Sequence, residues 1–153
     1  MANQEVKDFL NKLVATEGVL YIRLHQFHWY VKGHGFFVLH EKFEELYDEV
    51  TESLDEVAER LLSIGGQPYS TLSEFIEHSV IEEKADDKNL SQEEMVAALI
   101  EDLNKVRDFL VEGMEVTDEH ADYPSNDLLI ETKAAIDKHL WMLEAYLGNE
   151  ANA

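Results

Sequence analysis

The sequence predicts an all-α fold: four long helices bundled side by side, with one long crossover, itself containing a short helix, between the second and the third. Three observations predict it. The chain of 153 residues carries only 7 Gly and 2 Pro, few breaks for its length. Four stretches repeat apolar residues at helical steps of three and four, and none alternates as a half-buried strand does. The joins between these stretches are short, long and short in turn. Short joins make antiparallel neighbours, and the long one is a crossover.

The first helix is expected over about residues 3–31. Val6, Phe9, Leu10, Leu13, Val14, Leu20, Leu24 and Phe27 form its apolar stripe, and Gly33 and Gly35 end it. The second is expected over about residues 37–64, on the stripe Phe43, Tyr47, Val50, Leu54, Val57 and Leu61. Gly65, Gly66 and Pro68 stop it. Within the crossover, Thr71 and Glu74 fit a capping box and open a short helix to about Glu77. Ser91 and Glu94 fit another, opening the third long helix to about Thr117 on Met95, Leu99, Leu103, Val106, Leu110 and Met114. Pro124 and Ser125 begin the fourth, which ends near Leu147 before Gly148. One crossover in this order makes a ferritin-like bundle, expected as a single domain over residues 1–153.

Composition narrows the function. There is no Cys, so disulfides and thiolate ligands are excluded, and any metal binds through nitrogen and oxygen. Residues 1–7 lack the apolar core of a secretion signal, and no apolar run reaches the roughly 18 residues of a membrane span. A cytoplasmic protein with no membrane partner is therefore expected. The 33 acidic and 12 basic residues leave a net charge of −21, which repels nucleic acid and anionic lipid and attracts cations. Most of those acids are solvated surface, so charge alone does not identify a metal protein.

The chemistry sits on His28, His40, Glu44, Asp55 and Glu59. The pairs His40/Glu44 and Asp55/Glu59 are each spaced i,i+4, so each points one way from a helix. Neither Gly nor Pro interrupts the stretch that joins them. Glu44 and Asp55 are 11 residues apart, which is roughly 16 Å of rise. At about 100° per residue, that separation returns within about 20° of the starting face. The pairs share a face but are too far apart for one ion. A second copy of the helix, antiparallel across a two-fold axis, sets His40/Glu44 of one chain opposite Asp55/Glu59 of the other. The spacing thus predicts metal sites between the subunits of a homo-oligomer. The bundle core is not the expected place, because none of the 7 His has a Glu three residues before it, as the Glu-x-x-His motif of intra-bundle di-iron sites requires.

His25-Gln26-Phe27-His28-Trp29-Tyr30-Val31-Lys32-Gly33, then Phe36-Phe37-Val38-Leu39-His40-Glu41, then Asp55-Glu56-Val57-Ala58-Glu59-Arg60 together resemble the Dps family. These are the mini-ferritins, named as DNA-binding proteins from starved cells. The likeness continues to Asp137-Lys138-His139-Leu140-Trp141. It implies a hollow dodecamer built from two-fold dimers. It also implies a ferroxidase that oxidises Fe(II), preferably with hydrogen peroxide, stores ferric mineral and so protects the cell from oxidative damage. In this resemblance His28 and His40 match the imidazole ligands. Asp55 and Glu59 match carboxylates from the two-fold partner. Glu44 matches a further carboxylate, often Asp in the family, whose longer side chain here binds directly or through water. Asp118, Asp122 and Asp127 match the lining of iron-entry pores on the three-fold axes. The plainer alternative for them is helix capping, with Asp127 in the first turn of the fourth helix. Trp29 is a candidate electron donor beside His28, its ordinary role being packing, and Trp141 is a more distant one. His25 is divided between a support for the site and a core histidine.

Carboxylates favour the Fe(III) product, while imidazoles hold Fe(II) and also admit Zn2+ as a competitor. Two other functions compete with iron oxidation. One is DNA compaction, but residues 1–7 offer only Lys7, opposed by Glu5, and residues 148–153 carry no base, so DNA binding is not expected. The other is a module that holds zinc without turnover. His34, His78, His120 and His139 are read as surface or structural.

Overall fold

Residues 3–151 are described by the computed structural model. They form α1 (Gln4–Tyr30), α2 (Phe36–Ser63), α3 (Leu72–His78), α4 (Gln92–Glu119) and α5 (Tyr123–Tyr146), with a 3₁₀ turn at Ala85–Asn89 and no strand. The bundle is α1, α2, α4 and α5; α1 packs along α2, α4 along α5, and α3 rests on α1 inside the crossover. Helix ends fall within a residue or two of those expected. The 3₁₀ turn was not foreseen, being too short for any periodicity to show.

Side chains close the helix starts as their types require. Asn3 caps α1 by accepting from the Glu5 N–H at 2.7 Å. Ser91 and Glu94 complete a reciprocal box on α4. At α3, Thr71 accepts from the Glu74 N–H, but Glu74 reaches one residue further back, to the Ser70 N–H at 3.1 Å. These backbone N–H groups hold the Glu74 and Glu94 carboxyls below their ordinary pKa. α5 starts one residue before Pro124, at Tyr123, with Asp122 as its cap.

The central helix is α1. Val6, Leu10, Leu13, Val14, Leu24 and Phe27 are essentially inaccessible, each such burial being worth about 1.5–3 kcal/mol. Arg23 is buried on the same helix and binds Asp102 of α4 at 2.6 Å and Asp87 of the 3₁₀ turn at 2.9 Å. Burial works against the Arg23 charge, yet these two carboxylates hold its pKa above the ordinary value. The crossover is pinned further by Val80 N–H donating to Thr16 Oγ1 at 3.0 Å and by Gln26 Nε2 donating to the Lys84 carbonyl at 3.0 Å. By contrast, α2 buries only Leu39, Phe43, Leu46, Val57 and Leu61. Its other face, which carries Glu44, Asp55 and Glu59, is exposed.

The turn between α1 and α2 positions the site. Gly33 adopts φ +122°, a left-handed value that side chains resist. Gly35 donates its N–H to Gln92 Oε1 at 2.8 Å. A Cβ on Gly35 would meet both Gln92 and the Tyr146 hydroxyl, so α4 and α5 seat this turn.

Candidate metal centre

His28 lies in the last turn of α1 and His40 in the second turn of α2. Their rings stack at 3.7 Å with 14° between planes. His28 Nδ1 is 2.7 Å from the His40 carbonyl, and His40 Nδ1 is 2.7 Å from the His28 carbonyl. A carbonyl only accepts, so both Nδ1 atoms carry hydrogen and donate. In the neutral ring this tautomer leaves the lone pair on Nε2, the form in which imidazole ligates a metal. The His28 carbonyl is also one of the orphan acceptors at the end of α1, so His40 closes that helix while being oriented by it.

Glu44 follows His40 by one turn. Its Oε1 is 3.9 Å from His28 Nε2, and its side chain is half exposed. Tyr47, which sequence patterning placed in the core stripe of α2, packs against the core and also stands at this site. Its hydroxyl donates to Glu44 Oε1 at 3.4 Å, and its ring meets His28 edge-on at 5.2 Å. Burial, then the Glu44 charge, pushes the Tyr47 hydroxyl above its ordinary pKa. The i+3 spacing from Glu44 was the available signal. His25 stacks on Tyr47 at 3.8 Å and donates Nδ1–H to the Tyr21 carbonyl at 2.7 Å, so it backs the site. Trp29 is 62% exposed and touches His25 at 5.3 Å between ring centroids. Trp141 is exposed on α5.

One chain does not complete the set. Asp55 and Glu59 lie further along the unbroken α2, both exposed. Among the described residues no three His or carboxylate donors converge within 4.8 Å around His28 and His40. The one group that does converge is Glu5, Glu119 and His120 at the opposite end of α1, where His120 Nε2 meets Glu5 Oε2 at 2.6 Å.

A family model described as a ferritin-like domain matches residues 7–152. The DNA protection during starvation protein of Listeria monocytogenes is 48% identical over 94% of this chain and 92% of its own. The chain belongs to the Dps family. DNA protection during starvation protein 2 of Bacillus anthracis is 46% identical over 95% of this chain and 99% of its own. Dps from Listeria innocua, in a crystal soaked with zinc, superposes with TM-score 0.92 at 46% identity, over 95% of this chain and 98% of that one. A cobalt-soaked crystal of the same protein gives 0.93 at 47%, over 95% of this chain and 94% of that one. The all-helical ferritin-like fold expected from the sequence is thus the fold of the Dps structures.

The second acidic set of this Dps-family chain is divided by the structure. Asp122 is committed within the chain: it caps α5 by accepting from the Ser125 N–H at 3.1 Å and pairs with Arg60 at 2.9 Å. Asp118 and Asp127 are exposed, on α4 and α5. The expected first-turn place of Asp127 is corrected, since α5 begins at Tyr123 and Asp127 falls in its second turn. No helix among the described residues is long and apolar enough to cross a membrane.

Proposed function

We propose that this protein is a ferroxidase and iron store. It oxidises Fe(II), with hydrogen peroxide as the preferred oxidant, at sites that two chains complete together, and it keeps the ferric product inside a dodecameric shell. The observation that carries the reading is the reciprocal anchoring of His28 and His40, which leaves two Nε2 lone pairs side by side with Glu44 behind them. His28, His40 and Glu44 of one chain face Asp55 and Glu59 of the other. Imidazoles receive Fe(II), and the hard carboxylates favour Fe(III). Two Fe(II) ions lose one electron each. Hydrogen peroxide takes both, its O–O bond breaks, and two protons complete two waters. Taking the electrons as a pair avoids releasing hydroxyl radical. Trp29 and Tyr47 stand close enough to supply an electron when a second Fe(II) is missing. Zn2+ fits the same donors and competes.

Purified protein mixed anaerobically with Fe(II) and hydrogen peroxide should oxidise iron far faster than buffer; equal rates sink the proposal. The shared site has its own test. One variant carries His28→Ala and His40→Ala, another Asp55→Ala and Glu59→Ala. Each alone is expected to be inactive. Co-assembled in equal amounts, half of the dimers are mixed and each mixed dimer regains one intact site, so about a quarter of the activity returns. No recovery would place the four residues in one chain's site.

A further inference from the structure

A cavity of about 220 Å³, half open to solvent, lies among α1, α2, α4 and α5. Most of its wall is Leu, Val and Ile. Its polar side is Glu17 from α1, Glu49, Glu52, Ser53 and Glu56 from α2, and Glu131, Thr132 and His139 from α5, with no Lys or Arg among the lining residues. Glu17 is 4% exposed. Its Oε1 and the Ser53 hydroxyl are buried with no hydrogen-bond partner among the described residues, an arrangement native proteins seldom leave standing without a ligand or water. Burial drives the Glu17 pKa up to about 8, with the Ser53 hydroxyl opposing and the Glu56 charge adding.

The donors in the cavity differ in availability. Glu49 accepts from His139 Nε2 at 2.6 Å, and Lys42 Nζ donates to His139 Nδ1 at 3.2 Å. That pair is therefore occupied. Glu17, Glu52, Ser53, Glu56, Glu131 and Thr132 remain; of these, Ser53 and Glu56 act on the Glu17 carboxyl and share a face of α2 at i,i+3 spacing. Those two and Glu17 offer oxygen, the donor of hard cations. Two carboxylates and a hydroxyl do not replace a full hydration shell. Mg2+ held by one or two carboxylates keeps several waters. A cavity of about 220 Å³ leaves room for several waters beside an ion.

We propose that the cavity is a second cation site inside each bundle, taking a partly hydrated hard divalent ion of the Mg2+ or Mn2+ kind on the Glu17 and Glu56 carboxylates and the Ser53 hydroxyl. A doubly charged ion displaces the Glu17 proton to solvent, balances the two carboxylates and supplies the orphaned Oε1 and hydroxyl with a partner. The site shares no residue with the one between subunits, so either stands without the other.

Mn(II) is the probe, its free and bound forms followed by electron paramagnetic resonance. The assembled protein carries His28→Ala and Asp55→Ala, which removes the intersubunit site from the count. One Mn(II) per chain is expected, with affinity falling about a hundredfold or more when Glu17→Gln is added. Unchanged affinity in the Glu17→Gln protein, or no binding up to millimolar Mn(II), overturns the proposal. If Glu17→Gln fails to assemble, anomalous scattering from Mn(II)-soaked wild-type crystals decides. A peak on the Glu17 carboxylate supports the site, and its absence there overturns it.

Discussion

His28 and His40 are each anchored to the other residue's backbone carbonyl, not to its ring. Removing one imidazole therefore leaves the other held in place. His40→Ala is expected to slow peroxide-driven Fe(II) oxidation by about a hundredfold, while unfolding in urea shifts by no more than about 1 kcal/mol. Parallel losses of stability and activity would mean that the stacked rings serve packing alone. Glu17 acts at the same scale. Burial raises its pKa from 4.5 to about 8, so within that window the folded chain holds a proton that the unfolded chain has released. Stability then falls as pH rises through the window and levels off above it. In chelator-treated buffer, wild type should lose a few kcal/mol relative to Glu17→Gln between about pH 5 and pH 8. Chemical denaturation at both pH values checks this, and equal pH slopes would mean that Glu17 is solvated.

Among the elements, α3 depends on a notch in α1. Gly18 lies beneath the Phe75 ring, and a Cβ there would collide with it. Gly18→Ala improves the intrinsic propensity of α1 by about 1 kcal/mol, but the ring has to swing out and α3 loses its seat, at about 1–3 kcal/mol. Hydrogen exchange should quicken over Leu72–His78 and stay slow in α4 and α5; uniform protection would mean that Phe75 repacks in place. The rest of the crossover keeps its ties, because Arg23 grips Asp87 and Asp102 independently of α3. Burial holds the Asp102 pKa above its ordinary value, against the pull of Arg23, so this pair anchors the crossover at a desolvation cost.

For the whole molecule, charge is the governing quantity. A net charge of −21 per chain draws cations toward the surface and repels phosphate, and assembly multiplies the field. Duplex DNA is expected to run unshifted in a gel at moderate salt, even though the relatives named above carry DNA protection in their names. A shift that fades as salt is raised would show binding through phosphates. The same field predicts slower iron uptake as ionic strength rises.

Much of this was readable without a structure, for a physical reason. Helical periodicity, caps and breakers act within a few residues, so the helices, their ends and the long crossover follow from local chemistry. Spacing along one unbroken helix also follows, which is why His40/Glu44 and Asp55/Glu59 were legible as two distant pairs on one face of α2. What the chain does between helices was not legible. Tyr47 reads as one more apolar stripe residue until α1 packs beside α2 and places it between His25 and His28. Asp122 reads as a pore acid or a helix cap, and its pairing with Arg60 shows only once α2 packs near the start of α5. Glu17 reads as one of 33 acids until four helices close around it. A sequence specifies which way each side chain leaves its own helix; only the packing of the helices decides what it meets there, and so whether a charge is solvated, paired or stranded in the core.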